Sequence, residues 1–378
     1  MIDGMRVFWA MLGIALVGAG LLDVFLTVLN YDESGFLATR LCRIQWCCLR
    51  SITRRLPRSL RPAALRQVIG LNIVLCMTVW LGTVMAGFGF IYYSQMYSAH
   101  FEYSGDHLGG GLFDAMYFSA AQLATVGTSE ISPETDVLRA ISILETLTGI
   151  GLVTLILTFL IGVYQVIRDL RSLSSNFINV RPELDSSVAS LGPYFSRGNP
   201  ICLDNHLRAI SDSFWSYADG IRQHHLAYYF QSGRNQFSLP YVLHMLGFWL
   251  ASLRWGLPLG DPGTLQPLLM LLCAQFEQFS DYLHHQLRWS DASTPAAVSF
   301  EMFFVAYGGQ GEAPDRWLRR FLCLNREMSA LAWPNVVADP REVYERYKNW
   351  LPFAHRAEQL TIAVSRDLDY QPDWGSGD

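Results

Sequence analysis

The sequence predicts an all-α membrane protein with three spanning helices, a re-entrant short helix and loop between the second and third, and a helical domain after them. Three observations lead there. The composition is 51% hydrophobic and 16% charged, richer in apolar side chains than soluble domains usually are. The excess is concentrated in residues 7–29, 68–94 and about 141–165, each long enough at about 1.5 Å per residue to cross roughly 30 Å of hydrocarbon. Beyond residue 168 the apolar side chains instead recur at spacings of three and four, the period of a helix with one buried face.

The first stretch, "VFWAMLGIALVGAGLLDVFLTVL", has Asp23 as its only charge. It exceeds a signal-peptide apolar core and no small-residue cleavage site follows, so it is expected to remain as a helix. Without regularly spaced arginines it does not resemble a voltage sensor. Asp23 is expected to pair with an arginine at the end of a neighbouring helix. The second stretch is uncharged and ends in tyrosines suited to a headgroup belt. The third holds one charge, Glu145, which is costly against lipid and is expected to turn toward the back of the short helix before it.

Orientation follows from the arginines. Residues 31–68 carry Arg40, Arg43, Arg50, Arg54, Arg55, Arg58, Arg61 and Arg66, whereas residues 95–138 carry none and hold six acids. Positive residues favour the cytoplasmic side, which puts the N-terminus and the acidic segment outside a plasma (inner) membrane and the tail inside. The expected domains are an extra span at 1–30, a basic cytoplasmic linker at 31–67, a membrane domain at 68–168 and a cytoplasmic helical domain at 169–378. The seven cysteines avoid the segment assigned to the outside, so reduced thiols are expected. The tail is net acidic and the membrane half neutral, which argues against nucleic acid as a partner.

Between the second and third stretches lies "MYSAHFEYSGDHLGGGLFDAMYFSAAQLATVGTSEISPETDVLR". Its first part is polar and glycine-rich. Residues Leu112 to Ala124 are apolar and aromatic, lack Pro and Gly, and place Asp114 in the opening turn, where a carboxylate favours the helix dipole. That helix reaches only about 20 Å, halfway across. The chain must then return without regular hydrogen bonding, which hydrocarbon tolerates only where the backbone is sheltered by protein or lines a watery path.

"LFDAMYFSAAQLATVGTSEISP", followed by an apolar helix, resembles the pore loop and inner helix of the potassium-channel superfamily over about residues 68–168. The resemblance implies a homotetramer in the bilayer whose four loops surround one axis and whose main-chain carbonyls replace the water shell of a monovalent cation, K+ and/or Na+. Thr125, Val126 and Gly127 match the first three filter positions. Thr128 stands where the family has Tyr, Ser129 where it has a second Gly, and Glu130 where an acid follows the filter. A Cβ at Ser129 opposes the positive φ that the family glycine adopts, at about 1–2 kcal/mol. The outer filter is therefore expected to relax and to discriminate weakly among monovalent cations.

Glu130, Glu134 and Asp136 would ring the outer mouth with negative charge. Tyr117 matches a family aromatic that braces this acid, and equally fits a membrane-interface aromatic. Gly149 falls at the hinge of the family's inner helix, where a small residue also serves close packing. Helical counting turns Ile150, Val153, Leu157 and Ile161 toward the axis, an apolar constriction able to close by dewetting. The expected function is a cation channel gated through its cytoplasmic domain by an unidentified ligand or protein. The alternative is a non-conducting sensor or scaffold that keeps the channel fold.

The tail reads as all-α. Residues 239–260 are apolar, yet His244 and Arg254 lie within them, so a buried helix rather than a fourth span is expected. The glycines of residues 307–314 lack the strand and spacing of a dinucleotide site. His224–His225 and His284–His285 are adjacent pairs, which point to different sides of a helix, and are expected to be structural rather than metal ligands. No catalytic motif was found, and neither an enzyme, a metal nor a cofactor is expected.

Overall fold

The computed structural model describes residues 2–29, 36–55, 64–65, 67–96, 100–103, 110–128, 130–177, 188–196, 199–200, 202–256, 265–287, 293–332 and 339–370. Ser129, Arg58, Arg61 and Arg66 lie outside the described residues. The chain is mostly helical: α1 (Ile2–Val28), α2 (Phe36–Thr53), α3 (Val68–Met96), α4 (Leu112–Leu123), α5 (Asp136–Ser175), α6 (Leu203–Gln223), α7 (Leu239–Trp255), α8 (Leu265–Leu287), α9 (Phe300–Tyr307), α10 (Arg316–Ala332) and α11 (Pro340–Asp367). Two short strands, β1 (Phe101–Tyr103) and β2 (Ile131–Pro133), flank α4 and pair antiparallel.

α1 from Gly4, α3 and α5 are long and apolar enough to cross a membrane. α5 runs 40 residues and extends past both ends of the expected span. No Pro or Gly lies between Val163 and Ser175, so its hydrogen-bond ladder continues beyond the apolar stretch. The helix in 239–260 is α7, and 13 of its 17 residues are buried within the protein. Residues 308–314 follow the end of α9, with Gly309 at φ +71°.

The chain divides into two compact units, residues 1–166 with 220–230, and residues 167–219 with 231–378. In the first, α1 lies along α3. A Cβ on Gly87 would come within 2.9 Å of the Gly13 carbonyl oxygen, so glycine at this crossing lets the backbones touch. Trp9 stacks on Phe90 at 5.0 Å. Deeper along the pair, the Trp80 indole donates to Asp23 Oδ2 at 2.8 Å, satisfying a buried carboxylate that apolar surroundings would otherwise penalise. Trp80 also meets Phe159 of α5 edge-on at 5.4 Å. α4 packs against α3, where Gly89 leaves room for Met116.

In the second unit α7 is the central helix. Its N-cap Ser238 accepts from the Tyr241 amide at 3.3 Å, and a Cβ on Gly247 would approach that of Ala357 to 2.9 Å, so α11 lies directly on it. Trp249 donates to Ser190 at 3.0 Å. Phe214, Phe276 and Phe279 fill the space between α6 and α8. Gln231 closes the unit by donating to the Leu368 carbonyl at 2.7 Å.

His244 of α7 sets an acid limit on this unit. Burial, reinforced by Arg320 of α10 and opposed by Glu358 of α11, holds its pKa down from 6.5 to about 4. The fold therefore favours the neutral ring. Its contribution is intact above pH 6.5 and is lost as pH falls toward about 4, up to roughly 3 kcal/mol. Thermal melts of the detergent-solubilised full chain, followed by circular dichroism, should show Tm falling across that window. His244→Gln should flatten the fall.

Candidate functional site

α4 begins where Gly110, at φ +118°, and Gly111 turn their amides onto Asp114. Asp114 Oδ2 accepts from them at 3.0 and 3.1 Å. This capping carboxylate satisfies orphan amides at the helix start. The 12 residues of α4 extend about 18 Å. The helix is held from behind by Phe118, fully buried, whose ring meets Tyr92 at 4.9 Å and Phe101 at 5.6 Å, both edge-on.

After Leu123 the chain reverses. Val126 and Gly127 amides both donate to the Ala121 carbonyl, at 3.0 and 3.1 Å, and the Thr125 amide donates to Gln122 at 2.9 Å. Two residues of the turn are left-handed, Thr125 at φ +60° and Gly127 at φ +72°. Glycine adopts that conformation freely, but β-branched Thr125 is strained there by about 1–2 kcal/mol. The amides of residues 125–127 are thus turned back onto α4. Among the described residues, no donor bonds the carbonyls of Thr125, Val126, Gly127 or Thr128. Val126 is 80% exposed in the single chain.

The Thr128 hydroxyl donates to the Ile131 carbonyl at 2.9 Å, a bond that the short side chain makes to its own loop. β2 then pairs with β1 in the register Phe101↔Pro133 and Tyr103↔Ile131, and the Glu134 amide donates to His100 at 3.0 Å. The return limb is therefore pinned to the segment that precedes α4. Glu130, Glu134 and Asp136 are exposed. Asp136 has a neighbour that sequence reasoning passed over. Arg139, one turn on, lies 3.6 Å from it and donates to the Pro133 carbonyl at 3.1 Å.

α5 packs on the end of α4 at Gly149, where a Cβ would collide with the Leu123 carbonyl oxygen. That close approach is reason enough for glycine, and the helix runs unbroken through it. One turn earlier Glu145 is fully buried and faces the back of α4, as expected. Its Oε2 accepts from Tyr92 at 2.7 Å and its Oε1 lies 2.5 Å from the Ser119 hydroxyl. Ser119 also reaches the Met85 carbonyl at 2.8 Å. Three helices thus meet at one carboxyl group.

Ile150, Val153, Leu157 and Ile161 are each more than half exposed, while Leu152, Ile156, Phe159 and Val163 on the other faces are buried within the unit. Tyr117 is partly exposed. The site that emerges runs from α4 through the return loop to the free stripe of α5.

Comparison with known proteins bears on these same elements. Residues 73–166 match the ion channel family Ion_trans_2. An uncharacterized membrane protein of Bacillus subtilis (strain 168), YdjJ, is 25% identical over 171 residues, 44% of this chain and 48% of that protein. The match covers about half of the relative's length. No solved structure matches the chain. Residues 73–166 of this chain accordingly form a pore-loop ion channel domain of the potassium-channel-like kind.

Proposed function

We propose that four copies of this chain assemble a cation channel in which the return loops, Thr125 to Ser129, surround one axis as the selectivity filter. The observation that carries the reading is the set of carbonyls at Thr125, Val126, Gly127 and Thr128, which no described donor uses, at the end of a half-length helix. Oxygens left free in this way have a physical use as a substitute for an ion's water shell. The exposed stripe of Ile150, Val153, Leu157 and Ile161 supports a second role. Brought together fourfold, it lines a cavity and closes it by dewetting at Leu157 and Ile161.

Selectivity is weak in this reading. Thr128 spends its hydroxyl on Ile131 and is too short to brace the filter outward as the family tyrosine does. The permeant ions are monovalent cations, drawn by Glu130 and Glu134. Asp136 contributes less, because Arg139 offsets its charge. The arginine-rich side of the membrane is cytoplasmic, so the second unit lies inside the cell and gates the pore through α5. Tyr117, exposed in the single chain, is assigned to bracing Glu130 from behind the filter.

Glu145 replaces part of the missing brace from behind. Ser119 has one hydroxyl proton and two acceptors, the Met85 carbonyl and Glu145, so a group able both to accept from Tyr92 and to donate to Ser119 satisfies every atom. Glutamine is such a group. Glu145→Gln should therefore leave cation flux within about twofold of wild type. Glu145→Ala, which strands the buried Tyr92 hydroxyl at roughly 1–3 kcal/mol while Ser119 keeps the Met85 carbonyl, should weaken the tetramer on detergent gels and broaden selectivity further.

Purified protein in liposomes tests the main reading by potassium and sodium flux. Both ions should pass, and a pore that passes neither across a range of voltage and pH would identify a scaffold instead. Thr128→Tyr combined with Ser129→Gly should raise the potassium-to-sodium permeability ratio by about tenfold, equivalent to ~1.4 kcal/mol. Leu157→Ser should increase resting flux, because a polar ring no longer dries the constriction.

A further inference from the structure

Residues 220–230 belong to the membrane unit, yet the chain on both sides of them belongs to the other unit. The helix α6 runs unbroken into the segment as far as Gln223. At the far end, Gln231 and Ser232 are fastened within their own unit, by the Leu368 carbonyl and by the Tyr370 hydroxyl at 2.9 Å. The segment is therefore joined by the chain to the second unit at both ends.

The segment is seated on α5 through two close approaches that only glycine permits. A Cβ on Gly162 would fall on the His224 imidazole, and one on Gly220 would come within 2.6 Å of Val166 Cγ2. Gly162 and Val166 are one helical turn apart, and Phe159, three residues before Gly162, meets the His224 ring edge-on at 5.8 Å. Positions 159, 162 and 166 share one face of α5. Leu157 and Ile161, the exposed residues of the constriction, do not belong to it.

The end of the segment is fixed to α2 of the same unit. Tyr229 packs on Trp46 of α2 at 5.4 Å, while within the segment His225 stacks on Tyr228 at 5.8 Å. Phe159 in turn rests on Trp80, the partner of Asp23. A row of contacts thus runs from the first span to the ring of His224. Nδ1 of His224 is buried and has no hydrogen-bond partner among the described residues. The ring is held there by shape against a notch in the helix.

We propose that the His224 ring in the Gly162 notch is the point through which the second unit positions the inner helix, making His224 a positioning residue for the gate. The inference rests on the channel reading above. A tilt or rotation of α5 at this level must either carry the ring along or expel it. Conversely, a pull on α6 or on residues 231–232 reaches the helix at Gly162, next to Ile161 and five residues beyond Leu157. A methyl group placed in the notch would push α5 off its seat toward the side that carries the constriction.

The test uses full-length protein in liposomes, with Gly162→Ala, His224→Ala and the two combined. Gly162→Ala should lower cation flux by about tenfold, within the usual range of site-to-site coupling. Removing the ring in that background should restore flux to near the level of His224→Ala alone. The potassium-to-sodium permeability ratio should stay unchanged in all three, since the filter is untouched. Hydrogen exchange of residues 157–166, read on the same vesicles, should rise in Gly162→Ala and fall back in the double variant. An unaltered flux in Gly162→Ala, or a double variant as impaired as Gly162→Ala, overturns the proposal. If wild-type vesicles conduct nothing while the exchange pattern holds, the channel reading and the gate role fall together and only the docking survives.

Discussion

A chain that dips halfway into hydrocarbon and turns back has to account for every peptide group it carries there. In this protein the account is settled unevenly, and the unevenness defines the site. The amides of the turn are folded back onto the Ala121 and Gln122 carbonyls, while no donor among the described residues bonds the next four carbonyls. The left-handed geometry at Thr125 and Gly127 is what separates the two sets. It turns N–H groups inward and oxygens outward, and the strain at Thr125 is the cost of that division.

Around this turn the structure is arranged to resist collapse. Asp114 fixes the start of α4, the aromatic group of Tyr92, Phe101 and Phe118 fixes its back, and the β1–β2 pair fixes the return limb. Glu145 ties α3, α4 and α5 together at one point. A buried polar group is a poor source of net stability, because desolvation offsets much of what its hydrogen bonds return. Its value here is geometric. A carboxyl group with two satisfied oxygens tolerates little relative sliding of the three helices.

The sequence was most readable where the membrane leaves few choices. A charge such as Glu145 inside a span has hardly anywhere to go except behind α4, and an apolar run of 12 or 13 residues with Asp114 at its head can only be a half-length helix. Other features were hidden because they depend on partners distant in sequence. His224 looked like half of an unremarkable histidine pair, and its meaning appears only when Gly162, more than sixty residues away, is placed beneath it. Arg139 stood one residue beyond the acidic stretch and so escaped a count that ended at residue 138. Positive φ was anticipated for glycine-like positions and not for a β-branched residue such as Thr125, since local propensity opposes it and only the surrounding bonds impose it. The length of α5 was underestimated because hydropathy marks where lipid ends, not where a hydrogen-bond ladder ends.

The crossing of α1 and α3 has its own consequence. Gly13 and Gly87 meet backbone to backbone, and farther along, the Trp80 indole finds its acceptor in Asp23 of the first span. A shortened chain reduced to two spans would show acyl chains a bare furrow and an orphaned indole N–H. The smallest autonomous version of this protein therefore starts upstream of residue 13, and the first span is a permanent strut rather than a removable addition.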